Sequence, residues 1–156
     1  MSLTTDPNDP RLNRGQDESQ PHPQNEVYLV LSEEERSKGF VRPLRRAYIH
    51  VGPVGPKYPL RDLTAEELSL YQQYHYVKYE EYPNSETSSV VGMFWTQAQL
   101  DAVGKGCRVL THMGLALCET YARDPKFYGA TYCCGCQRHL PVNEFVWDED
   151  GARVGS

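Results

Sequence analysis

The sequence predicts an α+β fold, with short strands and short helices around a zinc-ribbon-like knuckle and a disordered N-terminal arm. Three observations predict it. Short apolar runs alternate with short, capped helical segments along the chain. Hydrophobic residues make up only 39% of the 156 residues, beside 11 Pro and 12 Gly, which is little material for a core. Five cysteines include one C-x2-C pair, the kind of cross-link that a thin core needs. A chain of this length is expected to form one domain, over 27–156.

Residues 1–26 hold only Met1, Leu3 and Leu12 as strong apolar groups against four prolines, so ordering their backbone is not repaid, and a disordered arm is expected. Folding should begin at the apolar run Val27 to Leu31. Ser32 then reads as an N-cap, with Glu33, Glu34 and Glu35 in the first helical turn and Gly39 as the stop. Phe40 to His50 alternates loosely and ends at Gly52-Pro53, which suits an edge strand with Pro43 near its start. Thr64 with Glu67 forms a capping box for a helix, after which Tyr76 to Tyr82 turns extended. A Pro83-Asn84-Ser85 turn leads to the run Val90 to Trp95, and Thr96 with Gln99 caps another helix, which Gly104 closes. Cys107 to Thr111 reads as a strand, and Met113 to Arg123 as a helix stopped by Asp124-Pro125. The end reads as a hairpin, Glu144 to Trp147 and Ala152 to Val154 about an Asp150-Gly151 turn.

No window approaches the roughly eighteen apolar residues of a membrane helix, and the first residues lack a charged-then-apolar leader, so a cytoplasmic protein without membrane contact is expected. In that compartment thiols stay reduced. An odd count of cysteines, two of them adjacent (Cys133 and Cys134), then reads as metal binding rather than as a disulfide framework. With 16 basic and 21 acidic residues the net charge is -5, which repels a phosphate backbone and disfavours nucleic acid as a partner except through a local patch.

Cys133 and Cys136 can reach one tetrahedral zinc, with Gly135 allowing the tight turn of a knuckle. That is half a site. Cys107, following Gly104-Lys105-Gly106 into a strand, ranks third, and spacing leaves the fourth ligand among His50, His112 and His139. Cys118 falls on the apolar side of a helix, where a free cysteine is an ordinary small hydrophobe.

The stretch from Cys107 to Trp147, which contains TYARDPKFYGATYCCGCQRHLPVNEFVW, resembles a family of small uncharacterised bacteriophage and bacterial proteins, and Leu31 to His50 resembles that family's front half. A Tyr-x-His motif, a Cys ahead of a Thr-x-Met stretch and the C-x2-C pair recur in the family. The resemblance therefore implies a Cys3His set of His50, Cys107, Cys133 and Cys136, and a host cytoplasm if the chain is phage-encoded. Four such ligands close the coordination sphere, so the zinc expected is structural and no catalytic residue is assigned.

The deaminase signature H-x-E with P-C-x-x-C is absent, as are H-E-x-x-H and a P-loop. The leading expectation is therefore a zinc-stabilised module that binds a protein partner. A nucleic-acid-binding zinc module is the alternative, using Arg36, Lys38, Arg42, Arg45 and Arg46 as a patch with Phe40 and Tyr48 to stack on bases. A metal-dependent hydrolase, whose metal keeps a water, is the third.

Overall fold

The structure is a computed structural model and describes residues 2–12, 24–25, 27–83 and 91–156. Its elements run β1 (Ser2–Thr4), β2 (Val27–Leu29), α1 (Glu33–Arg36), β3 (Ala47–His50), β4 (Leu60–Asp62), α2 (Ala65–Tyr71), β5 (Tyr76–Glu81), β6 (Gly92–Thr96), α3 (Gln97–Ala102), β7 (Leu110–His112), α4 (Leu115–Arg123), β8 (Ala130–Cys133), β9 (Arg138–Pro141) and β10 (Phe145–Trp147). These make a mixed α+β protein of small sheets and few, short helices. Within the chain two compact units are distinguished: Met1–Gly52 with Gly106–Ser156, and Pro53–Lys105. Gly52-Pro53 and Gly104-Lys105-Gly106 mark the boundaries, and the second unit has buried residues of its own in Tyr79, Glu80 and Trp95.

The first unit is built on the three-stranded antiparallel sheet β10-β3-β7, with Phe145 opposite His50 and Ile49 opposite Leu110. β3 is therefore central and not an edge strand. The difference follows from Pro43, which the strand leaves outside by starting at Ala47, so no amide is missing from either ladder. Tyr48 and His50 share one face of β3 by the two-residue period, and both are buried. Phe145 packs against both rings, at 5.3 Å from Tyr48 and 4.9 Å from His50. Trp147 meets Tyr48 and Tyr121 edge-on, and Cys118, Leu140 and Val154 complete the core.

β8 and β9 form an antiparallel hairpin whose register pairs Cys133 with Arg138. Part of the expected disordered arm falls among the described residues. Ser2–Thr4 pairs in parallel with Val27–Leu29, since three backbone groups find partners there even though the segment buries little. The rest of that expectation, over 13–23 and at 26, lies outside the described residues.

Ser32 caps α1 through its hydroxyl and the Glu35 amide, as expected. In the second unit both capping boxes form, Thr64 with Glu67 on α2 and Thr96 with Gln99 on α3. Their helices flank the sheet β4-β5-β6. Of the expected turn, Asn84 and Ser85 lie outside the described residues. The C-terminal hairpin closes by the Trp147 amide on the Ala152 carbonyl and one bridge between Val146 and Arg153.

Among the described residues no helix is long and apolar enough to cross a membrane.

Candidate metal centre

Three segments of the first unit converge at the end of β3. The strand expected from Cys107 begins only at Leu110, because Arg108 takes a left-handed backbone (φ 63) that breaks the extended run. Cys107 thus lies in a loop drawn against β3, where the Arg108 amide donates to the His50 carbonyl at 2.9 Å. Gly106 makes that approach possible. A Cβ there would stand 2.3 Å from the His50 carbonyl oxygen and 2.6 Å from the Gly52 nitrogen, closer than any side chain tolerates.

The knuckle follows β8. The Gln137 amide donates to the Cys133 carbonyl at 2.8 Å, and the Cys136 amide points at the Cys133 sulfur at 3.4 Å. Gly135 is fitted just as closely: a Cβ would lie 2.8 Å from the Cys107 sulfur.

His50, Cys107, Cys133 and Cys136 therefore meet, with their four donor atoms all within 4.8 Å of one another. Cys107 Sγ and Cys133 Sγ are 3.4 Å apart, and Cys136 Sγ lies 3.5 Å from His50 Nδ1. A tetrahedral ion with thiolate bonds of about 2.3 Å and an imidazole bond of about 2.0 Å spaces its ligand atoms about 3.5–3.8 Å apart. The cluster fits that spacing. These four residues could hold a metal ion.

The other nitrogen of His50 explains its orientation. Nε2 lies 2.9 Å from the Glu144 carboxylate. With Nε2 donating to the carboxylate, the Nδ1 lone pair is left on the side of the sulfurs, where the Cys107 amide donates to it at 3.3 Å. Glu144 was not found from sequence. Its one signal is its place beside Phe145, which the β10–β3 register sets opposite His50. Glu144→Ala should keep the fold and weaken metal affinity by about 10- to 100-fold in competition with a chromophoric chelator.

Without a cation the three thiols differ in acidity. Burial raises the Cys107 thiol, but the Val109 amide and the neighbouring Cys133 and His50 groups bring it down to about 7. Burial pushes Cys133 up to about 12 against the pull of the Cys136 amide, and burial together with Cys107 raises Cys136. Cys107 is thus the most acidic of the three thiols. A bound divalent cation reverses this order, because each sulfur then gains more from the ion than from a proton.

Comparison with protein-family models, curated proteins and solved structures finds no match to this chain.

The remaining candidates lie elsewhere. His139 is buried with Nε2 at 2.8 Å from the Tyr28 hydroxyl, and His112 is exposed at the end of β7. Cys118 is in the core, donating to the Leu115 carbonyl. Cys134 turns away from the cluster to Thr111 and the Leu110 carbonyl. Most of the Arg36 to Arg46 cations are engaged within the protein. Arg36 pairs with Glu119 at 2.6 Å, Lys38 with Glu35 at 2.8 Å, and the buried Arg45 with Asp150 at 3.2 Å while lying over Trp147. Arg42 bonds backbone carbonyls of Val41 and Ser156. Arg42 and Arg46 remain exposed.

Proposed function

We propose that this protein is a binding module whose first unit is held by a structural Zn2+ at His50, Cys107, Cys133 and Cys136, in a zinc-ribbon-like arrangement. The observation that carries the metal assignment is the closed donor set: three sulfurs and an oriented imidazole at tetrahedral spacing, with Glu144 behind the ring. Thiolate and imidazole ligands favour zinc by softness and geometry. Four protein ligands leave no position for water, which argues for a structural role over hydrolysis. When bound, the ion supplies a cross-link between the end of β3, the Cys107 loop and the knuckle.

The partner we propose is a protein. Its support is the segment 39–44, which exposes Phe40, Val41 and Leu44. That segment is tied down: the Val41 and Arg42 amides both donate to the Ala122 carbonyl, and Arg123 donates to the Gly39 carbonyl. Apolar side chains presented on a pinned backbone lose little entropy when a partner covers them.

Native mass spectrometry should find one zinc per chain. In that state a thiol reagent should titrate Cys134 alone without denaturant, because Cys118 is buried and the other three sulfurs are ligands. Four accessible thiols in the zinc-loaded protein would refute the assignment. For the partner, Val41→Glu with Leu44→Glu should abolish complex formation while leaving the zinc content at one.

A further inference from the structure

A second site lies in the first unit, away from the four metal-ligating side chains. A cavity of about 110 Å³ opens between the start of α4, strand β8 and the Tyr48 side chain, and five tyrosines line it: Tyr28, Tyr48, Tyr121, Tyr128 and Tyr132. Its lining includes the exposed residues Gln24, His112 and Gly114. Among the described lining residues there is no carboxylate, ammonium or guanidinium group.

The polarity of the wall follows from its hydrogen bonds. Tyr48 donates its hydroxyl proton to the Tyr132 carbonyl, and Tyr128 donates to the Leu29 carbonyl. Thr111 donates to the Cys134 sulfur, and Thr131 donates to the Tyr48 oxygen. Four hydroxyl protons are thus turned into the protein, and the Tyr48 and Thr111 oxygens already accept from Thr131 and the Cys134 amide, so these groups offer a ligand chiefly ring electrons rather than donors. Such a wall repels an anion and attracts positive charge. Burial also pushes Tyr28, Tyr48 and Tyr128 up, which keeps the phenols neutral.

Size and charge narrow the ligand. At about 110 Å³ the cavity is well below the roughly 300 Å³ of a site for a whole nucleoside or cofactor, and it suits a small group. A primary ammonium needs acceptors for three N–H bonds and a counter-ion to offset its desolvation, and no carboxylate lines the cavity to provide one. A quaternary, trimethylated ammonium has no such protons and is attracted by aromatic rings.

We infer that this tyrosine-lined cavity binds a trimethylammonium group. The group belongs either to a small free cation or to a trimethylated lysine side chain of a partner, and the chemistry recognised is the same. This inference does not depend on the zinc assignment.

The test compares choline with its uncharged carbon isostere, 3,3-dimethylbutan-1-ol, on the intact protein by two-dimensional NMR. Choline should shift the amides of Thr131, Tyr132 and Gly114 and bind at least tenfold more tightly than the isostere. Equal affinity for the two, or no shift with choline, would overturn the proposal. Tyr132→Leu keeps apolar volume but removes one half-buried ring. It should weaken choline about tenfold and leave the isostere unchanged; an equal loss of both would also count against cation recognition. A trimethyl-lysine peptide run beside the unmethylated peptide separates the sources. Preference for the trimethylated peptide over choline assigns the group to a partner chain, and the reverse assigns it to a small cation. Zinc content measured on the same samples keeps a failure here distinct from loss of the metal.

Discussion

Cys133→Ser is expected to release the metal and to abolish the cooperative unfolding of the first unit. Cys133 is fully buried, belongs to the core cluster with Tyr48, Phe145 and Trp147, and sits at the point where β8 enters the knuckle. A serine there cannot ionise near neutrality, so the site loses a ligand and gains a hydroxyl among apolar groups. Structural zinc sites contribute on the order of 10 kcal/mol in small domains, more than a 5–15 kcal/mol margin can generally spare. Hydrogen exchange should report the loss, with amides of Tyr48, Thr131 and Phe145 becoming unprotected while those of Tyr79 and Trp95 keep their protection. Cys134→Ser is the control and should retain the metal. Retained zinc together with unchanged protection in Cys133→Ser would sink the structural-zinc proposal.

The second large effect belongs to the other unit. Glu80 is 2% exposed, and its carboxylate is well served by hydrogen bonds. The Lys57 and Tyr58 amides donate to Oε2 at 2.6 and 2.8 Å, and the Trp95 indole donates to Oε1 at 3.1 Å. Glu80→Ala removes the acceptor of all three donors at once and should cost about 3 kcal/mol, seen as loss of protection in Pro53–Lys105 with the zinc content unchanged. Glu80→Gln should cost less, since its amide oxygen still serves Lys57 and Tyr58. Its NH2 group then opposes the Trp95 N–H, so Trp95→Phe should soften the effect of Gln but not that of Ala. An Ala variant as stable as the parent would show that these hydrogen bonds contribute nothing net.

Local signals carried well from sequence to structure. The two capping boxes, the Ser32 cap and the approximate places of β2, β5, β6 and α4 depend on neighbouring residues, and they appear as expected. What failed depends on distant pairing. β3 is central because β7 and β10 come to it from more than fifty residues away, and Ser2–Thr4 is ordered by Val27–Leu29. The division into two units was marked only by glycines and a proline, whose meaning appears once both ends are seen together. At the site, spacing gave Cys133 and Cys136, but nothing local distinguishes His50 from His112 or His139. That choice is made by the sheet, which buries His50 beside Phe145 and leaves His112 exposed. Glu144 was invisible for the same reason. Two cations of the basic run, Arg36 and Arg45, pair with Glu119 and Asp150, which are remote in sequence and so could not be named from it.

The close approach of Gly106 to the backbone of His50 and Gly52 also bears on how this chain can change over time. The chain leaves the first unit and returns to it through one doorway, and the proposed metal cross-link between His50 and Cys107 stands on either side of it. Closing a loop of n residues costs only about (3/2)RT ln n, so doubling what is spliced between the two glycines adds about 0.6 kcal/mol. On this ground an insertion within Pro53 to Lys105 should leave the pairing of β3 with β7 and the four-residue cluster in place.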